Sequence, residues 1–394
     1  MPTINRTHKI RLDPTCNQET YFAKACGISR FTWNWALDQW NEKYKNGEKP
    51  NALALKKEFN ALKNEKFPWM YEVTKYASQQ PFIHLQRGFQ KFFSKKARYP
   101  KFKKKGVHES FYIGGDQIQI TGKQVKIPNL GWVRLMESLR FEGKINGVTI
   151  TRSANYWFIS VSVETSTLPV LCESQAHIGV DLGIKSLAML SDGRVFPSND
   201  PLKKKLKQLK RYQRQIARCA KGSKNRIKVK SKIAKLHYRV ARSRNDVLHK
   251  LTTTLTKNYR HIDIEDLDVS KMVKNRRLAR PILDGGFYEF RRQLTYKSEL
   301  RGNTIFIADK WYASTKKCSS CGHLKEEMSL SERKYQCSHC MLEMDRDLNA
   351  AKCLEQLLNT VSSTEINACR QDGSVIMFKT LLQPAWLKQE LSPV

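Results

Sequence analysis

The sequence lacks any run of about 18 apolar residues, which excludes a membrane-spanning helix. Its opening residues, Met1-Pro2-Thr3-Ile4-Asn5-Arg6, form no apolar leader, so nothing there marks the chain for export. Acid is in short supply: 36 Asp+Glu face 71 Lys+Arg among 394 residues, a net charge of +35. Self-repulsion on that scale opposes a compact fold unless a polyanion offsets it. A Lys-rich soluble protein and a membrane-surface protein both fit the charge alone. Charge together with 10% aromatic residues favours a nucleic-acid partner. Wholesale disorder is excluded, because 40% of the residues are hydrophobic. A disulfide framework does not suit a large basic chain, although 10 cysteines are present. The expectation is a reducing, cytoplasmic setting and roughly two to three domains.

The pattern along the chain changes period several times. Residues 3–13 read as a strand that stops at Pro14. From about 16 to 104 the spacing is helical, with Ile28, Phe31, Trp35 and Leu37 in one stretch and Phe82, Leu85 and Phe89 in another. A basic segment at 95–105 then interleaves aromatics with Lys and Arg, which suits base stacking plus phosphate contact, or a solvated loop. Residues 108–165 return to period two through Ile118/Ile120, Val125/Ile127, Val148/Ile150 and Trp157/Ile159/Val161/Val163. Together with the first strand they predict a small antiparallel barrel interrupted by a helical insertion. A Ser/Thr/Pro-rich linker spans roughly 165–177.

Beyond the linker, strands are predicted at 177–183, 186–190, 260–267 and 304–308, with Ser191-Asp192-Gly193-Arg194 as a hairpin turn. Between the second and third of these lies a stretch without acid: residues 203–244 carry 18 Lys/Arg and no Asp or Glu. Apolar residues at 202, 206, 209, 212 and 216, and again at 233, 236, 240 and 247, predict two amphipathic helices broken at Gly222-Ser223. Phosphate contact accounts for such a run better than a merely solvated face. The candidate contacts are Lys101, Lys103, Lys104 and Lys105 in the first basic segment, and Lys210, Arg211, Arg214 and Arg218 in the second.

Two sets of residues carry chemistry. Cys318-x2-Cys321 and Cys337-x2-Cys340 form two knuckles that together close a tetrahedral zinc site. His323 and His339 are nearby, but four thiolates leave no vacancy, so the zinc is structural and takes no substrate. The other set is acidic. Asp181 alternates with Ile178, Val180 and Leu182, between Gly179 and Gly183, which are expected to leave backbone room for a ligand. Glu265 ends the strand containing Ile262 and Ile264, and Asp347 opens a helix beside the cysteines. Distant carboxylates converging on one sheet suit two Mg2+ ions acting on a phosphodiester. Each also has a plainer reading: Asp345 or Asp347 as a helix N-cap, Asp181 as a turn residue.

Several blocks are similar to a known family. Gly179-Val180-Asp181-Leu182-Gly183, Ile264-Glu265-Asp266-Leu267, the cysteine ribbon after Ser314-Thr315-Lys316-Lys317, and Asp345-Arg346-Asp347-Leu348-Asn349-Ala350-Ala351 resemble the split RuvC motifs of TnpB. These are the OrfB-type proteins of bacterial insertion sequences, related to compact type V CRISPR nucleases. Arg11-Leu12-Asp13-Pro14-Thr15, Arg30–Leu37 and Pro100–Lys105 resemble the family's N-terminal blocks, and the likeness runs from about 3 to 358 in family order.

The resemblance implies an α/β multidomain protein: an RNase H-like RuvC nuclease domain with an inserted zinc ribbon, plus an N-terminal antiparallel β-barrel, the wedge, interrupted by a helical recognition lobe. The implied boundaries are 1–14 and 106–168 for the wedge, 15–105 for the lobe, and 175–310 with 343–369 for RuvC. The ribbon takes 311–342, and 370–394 form a tail without a reading. The implied activity is RNA-guided, Mg2+-dependent cleavage of double-stranded DNA beside a short target-adjacent motif. The partners are a guide RNA derived from the transposon end and the target DNA, with no membrane; monomer and dimer both remain open. By motif match the magnesium ligands are Asp181, Glu265 and Asp347, Asp347 being favoured over Asp345 because it directly precedes x-Asn-Ala. Cys318, Cys321, Cys337 and Cys340 hold Zn2+. The rival readings are a guide-free transposase or resolvase-like nuclease and a non-cutting RNA- or DNA-binding regulator.

Overall fold

The structure is a computed structural model that describes residues 3–166, 171–309, 312–329 and 332–356. The last turn of the helix expected to reach 358, the end of the expected RuvC segment and the tail at 370–394 lie outside the described residues. The chain divides into two compact units, residues 1–168 and 169–394, so the break falls within the expected linker. Among the described residues, no helix is long and apolar enough to cross a membrane.

The first unit opens with β1 (Ile4–Asp13), then three helices, α1 (Cys16–Lys45), α2 (Ala52–Lys66) and α3 (Tyr76–Phe93). Thr15 and Gln18 start α1 with a reciprocal capping box, and the Asn51 side chain caps α2. Six strands follow: β2 (Ser110–Gly114), β3 (Gln119–Thr121), β4 (Gln124–Ile127), β5 (Gly131–Leu135), β6 (Lys144–Ser153) and β7 (Tyr156–Thr165). They form one antiparallel sheet in the order β2-β6-β7-β1-β5-β4-β3.

This sheet is open, which corrects the expected barrel. β1 pairs with β7 from Ile4 to Arg11, but with β5 only through Leu12 and Asp13. The β3–β5 half therefore hangs on a two-residue join. Its edge strand β3 is three residues long and does not meet the opposite edge, β2. Helices α1 and α3 pack against β2, with Phe22 of α1 on Phe111 of β2 and Trp157 of β7. Helices and sheet share one hydrophobic core. Much of the aromatic content is spent there: Phe22 packs on Trp157 at 5.1 Å and Trp40 stacks on Phe89 at 4.1 Å.

The second unit is built on β8 (His177–Asp181), β9 (Ser186–Leu190), β10 (Val195–Pro197), β11 (His261–Glu265) and β12 (Thr304–Ala308), in the order β10-β9-β8-β11-β12. β8, β11 and β12 run parallel, while β9 and β10 are antiparallel. The expected hairpin turn joins β9 to β10, with Gly193 at φ +88. Between β10 and β11 come α4 (Pro201–Arg218) and α5 (Lys224–Asn258), separated at the expected break, where Ser223 caps α5. The basic run of α5 continues into Leu248, Leu251 and Leu255, so one helix is a charged arm at its start and a core element at its end. The short helices α6 (Val269–Met272) and α7 (Ala279–Gly285) precede α8 (Phe287–Arg301), and a ribbon hairpin, β13 (Lys334–Gln336) with β14 (Glu343–Asp345), runs directly into α9 (Arg346–Glu355).

Helices cover both faces of the parallel strands, as such strands require. Ile178, Val180, Ile262 and Ile264 share a core with residues of α5 and α8. On the other face α9 lies against β8, and the contact is close. A Cβ on Gly179 would sit 2.0 Å from the Ala351 carbonyl oxygen and 2.6 Å from the Glu355 nitrogen. The room at Gly179 is thus filled by α9, not by a ligand, and at Gly183 a Cβ would meet the Ser186 carbonyl at 2.9 Å. This corrects the expectation for Gly179, which serves close packing of this chain on itself, whereas Gly183 lines a cleft of the second unit.

Candidate functional site

Register brings two of the expected carboxylates together. Val180 of β8 aligns with Ile264 of β11, so Asp181 and Glu265 emerge side by side at the carboxyl ends of adjacent parallel strands. α9 supplies the third. Asp181, Glu265 and Asp347 all line one cleft of about 1300 Å³ within the second unit. Carboxyl ends of parallel strands are where open α/β sheets place ligands.

Asp345 and Asp347 differ in what holds their side chains. Asp345 is the N-cap of α9, and its side chain accepts hydrogen bonds from the backbone of Asp347 at 2.8 Å and of Leu348 at 3.3 Å. Asp347, in the first turn, is left to face the cleft. The N-cap reading thus falls on Asp345, and Asp347 is the one of the pair that lines the cleft.

The carboxylates oppose one another's charge. Burial, then the neighbouring Glu265 and Asp347, push Asp181 well above the usual carboxylate range, against a pull from Arg346. Burial raises Glu265 as well, and a hydrogen bond donated by the Ser314 hydroxyl works against that rise. A cation at this point would relieve the repulsion, and hard oxygen donors of this kind suit Mg2+. The cleft rim is basic: Lys203, Arg276, Arg277, Arg280, Arg333 and Arg346 line it.

The four expected cysteines also converge, with all four sulfurs within 4.8 Å of one another. Cys318 and Cys340 are 3.6 Å apart, as are Cys321 and Cys337. Tetrahedral zinc with Zn–S of about 2.3 Å requires S···S of about 3.8 Å, so the donor set and its size fit the ion. Backbone N–H groups, that of Cys340 foremost, lower the Cys337 thiol, while Cys321, against a backbone bond at His323, is raised by burial and the other three sulfurs. In the first knuckle Gly322 takes the left-handed conformation at φ +77, and in the second Met341 does so at φ +59.

The basic candidates divide. Lys101, Lys104 and Lys105 are exposed, whereas the Lys103 ammonium lies 4.1 Å from the Trp33 ring centroid and burial lowers its pKa. The Lys103 backbone is held on both sides by the Asn34 amide, at 2.7 and 3.0 Å. The 99–103 stretch is thus pinned to α1, with Tyr99 edge-on to Phe89 and Phe92 rather than free for stacking. Lys210, Arg211, Arg214 and Arg218 are exposed along one side of α4.

Three features escaped the sequence. Ser314 holds Glu265 from a buried turn that directly precedes the ribbon. Asp263, fully buried behind Glu265, bonds His177 Nε2 at 2.7 Å, and burial raises it to about 6. The rim arginines at 276–280 were visible only as a local density of charge. Ser314 and Asp263 act through non-local partners, and nothing in their immediate neighbours signals that.

Comparison with known proteins places the chain in a family. Three family descriptions match: OrfB_IS605, "Probable transposase", over residues 158–276; a Cas12f1-like TNB domain over 287–354; and the OrfB_IS605 helix-turn-helix domain over 1–49, which here holds β1 and the long α1. The chain is 35% identical to "Putative RNA-guided DNA endonuclease InsQ" of Escherichia coli K12, over 87% of this chain and 90% of the relative. A protein of Streptomyces pristinaespiralis with the same functional name is 31% identical, covering 89% of each chain. The Cas12f1 chain in a cryo-EM structure of a Cas12f1–sgRNA–target DNA complex superposes with a TM-score of 0.54 at 14% identity, covering 90% of this chain and 99% of that one, which establishes a Cas12f1-like α/β fold. The chain therefore belongs to the OrfB_IS605, TnpB-like family.

Proposed function

We propose that the protein is an RNA-guided, Mg2+-dependent DNA endonuclease that cuts double-stranded DNA beside a short target-adjacent motif, using one RNase H-like RuvC centre. The observation that carries this reading is the convergence of Asp181, Glu265 and Asp347 in one basic-rimmed cleft. The strand order β10-β9-β8-β11-β12 supports the RNase H-like assignment. The names of the two relatives support the guide and the target, and a guide RNA made from the transposon end follows from the family resemblance. In this reading residues 1–14 and 106–168 are the wedge and 15–105 the recognition lobe. RuvC comprises 175–310 and 343–369, and the ribbon 311–342. The protein works in the cytoplasm, where the DNA is.

Asp181, Glu265 and Asp347 would hold the Mg2+ ions, which when bound supply charge compensation for the oxygens of a phosphodiester under attack. The chain's own part is positional. Ser314 fixes the Glu265 carboxylate, and Asp345 winds the first turn of α9 so that Asp347 faces inward. The rim arginines attract phosphate, and Leu182, Ile184 and Phe287 give the cleft an apolar share of its wall. Cys318, Cys321, Cys337 and Cys340 would hold zinc as a closed, structural site.

The test is Asp181→Ala in a Mg2+-dependent cleavage assay with the co-purified RNA in place. Cleavage should fall by about a hundred- to a thousandfold, as loss of groups that stabilise transition-state charge does, while RNA still travels with the protein. Unchanged cleavage would remove Asp181 from the active centre, and full activity after ribonuclease treatment would favour a guide-free nuclease.

A further inference from the structure

The first cysteine knuckle and the turn before it are bonded to two of the three elements that carry the cleft carboxylates, β11 and α9. Asn349, fully buried in α9, donates from Nδ2 to the Lys317 carbonyl at 2.7 Å, and its Oδ1 accepts from the Ser319 backbone N–H at 3.0 Å. Those two residues flank Cys318. The carbonyl and N–H also fix which way the amide points, since each can be satisfied in only one sense. Cys353, one turn further on, adds a bond from Sγ to the same Lys317 carbonyl at 3.2 Å. Asn349 lies two residues after Asp347, in the same stretch of helix.

The second attachment leads to Glu265. Ser314, 2% exposed, bonds the Glu265 carboxylate and stands four residues before Cys318. The turn between them is tight: the backbone N–H groups of Lys316 and Lys317 both donate to the Ala313 carbonyl at 3.0 Å. One short backbone stretch, 313–319, therefore touches the partner of Glu265 at one end and the helix of Asp347 at the other. A buried amide costs free energy unless its bonds are made, and both of those described for Asn349 go to this stretch.

We propose that Asn349 and Ser314 are positioning residues that tie the ribbon's first knuckle to the carboxylate cleft, so that metal in the ribbon sets the divalent-cation affinity of the cleft. The proposal rests on the nuclease-site reading and deepens it: the cysteine site is not merely a stable module but a support for the acidic one. Partners of this kind, one shell out from the ligands, change metal affinity about 10–100-fold when removed.

The experiment is a double-mutant cycle on the full-length protein with Mn2+ as the probe, read by electron paramagnetic resonance. Asn349→Ala under excess zinc should keep the zinc content of the parent by elemental analysis, yet bind Mn2+ about tenfold or more weakly. Ser314→Ala should do the same. Cys318→Ser should lower zinc content and Mn2+ affinity together, and combining it with Asn349→Ala should cost little more than either change alone. Parent-like Mn2+ affinity in both Asn349→Ala and Ser314→Ala would overturn the link, as would losses that simply add. A parent that binds no Mn2+ dependent on Asp181 would instead refute the nuclease-site reading. The link is then judged by hydrogen exchange in the parent, which also serves if a variant fails to fold. Removing zinc should increase exchange in the first turns of α9 and at the end of β11, and unchanged protection there would overturn it.

Discussion

At Asp181 the fold holds a carboxylate where burial and its neighbours both oppose ionisation. A group whose folded pKa is raised contributes stability that is complete below its unfolded pKa and is lost as pH rises through the folded one. In protein free of divalent metal, ionised Asp181 is therefore a cost from the ordinary carboxyl range upward. Asp181→Asn should raise the melting temperature at neutral pH, by about 2–4 °C for each kcal/mol relieved. The gain should shrink toward pH 4, and Mg2+ should reverse it by stabilising the parent alone. A calorimetric series in pH, with and without Mg2+, measures this. Gly179 makes the complementary case. Gly179→Ala would set a Cβ against the α9 backbone, an overpacking that costs about 1–3 kcal/mol. Because α9 carries Asp347, cleavage should fall along with stability; a variant with parental melting and cleavage would mean that α9 does not sit where Gly179 allows.

At the scale of elements, the period-two strands, the helix break before Ser223 and the cysteine knuckles were legible in the sequence, because each is a local pattern. So were Asp181 and Glu265, since alternation alone sends them away from Ile178, Val180, Ile262 and Ile264. What stayed hidden depends on packing between segments distant in sequence. Gly179 reads as open space until a helix about 170 residues later fills it. An open sheet and a barrel share one alternation, and the edges β2 and β3, which do not pair, tell them apart. The stretch 99–103 has the composition of a stacking platform, but Phe89 and Phe92 hold Tyr99 edge-on and Trp33 holds Lys103, leaving Phe102 as the exposed aromatic. That division yields a measurable contrast. Replacing Lys101, Lys104 and Lys105 by Ala should reduce the salt slope of RNA binding by about 2–3, near 0.7–0.9 for each phosphate no longer neutralised. Lys103→Ala should leave the slope unchanged and lower the melting temperature; filter binding across a salt series, beside thermal melts, separates the two.

For the whole molecule, a surplus of +35 finds its place in the fold. The acid-free stretch forms α4 and the outer part of α5, inserted between the strands of Asp181 and Glu265, and further arginines rim the cleft those residues share. In the proposed reading, charge laid beside the acidic cleft serves to hold a polyanion in place, and base pairing with a guide selects which one. The direct measurement is to exchange the guide segment of the co-purified RNA for an unrelated sequence and map the cuts on a plasmid carrying both matching sites. Cleavage should move to the site that matches the new segment, require Mg2+ and disappear in Asp181→Ala. Cuts that stay at the original site, or that ignore the RNA altogether, would contradict the account.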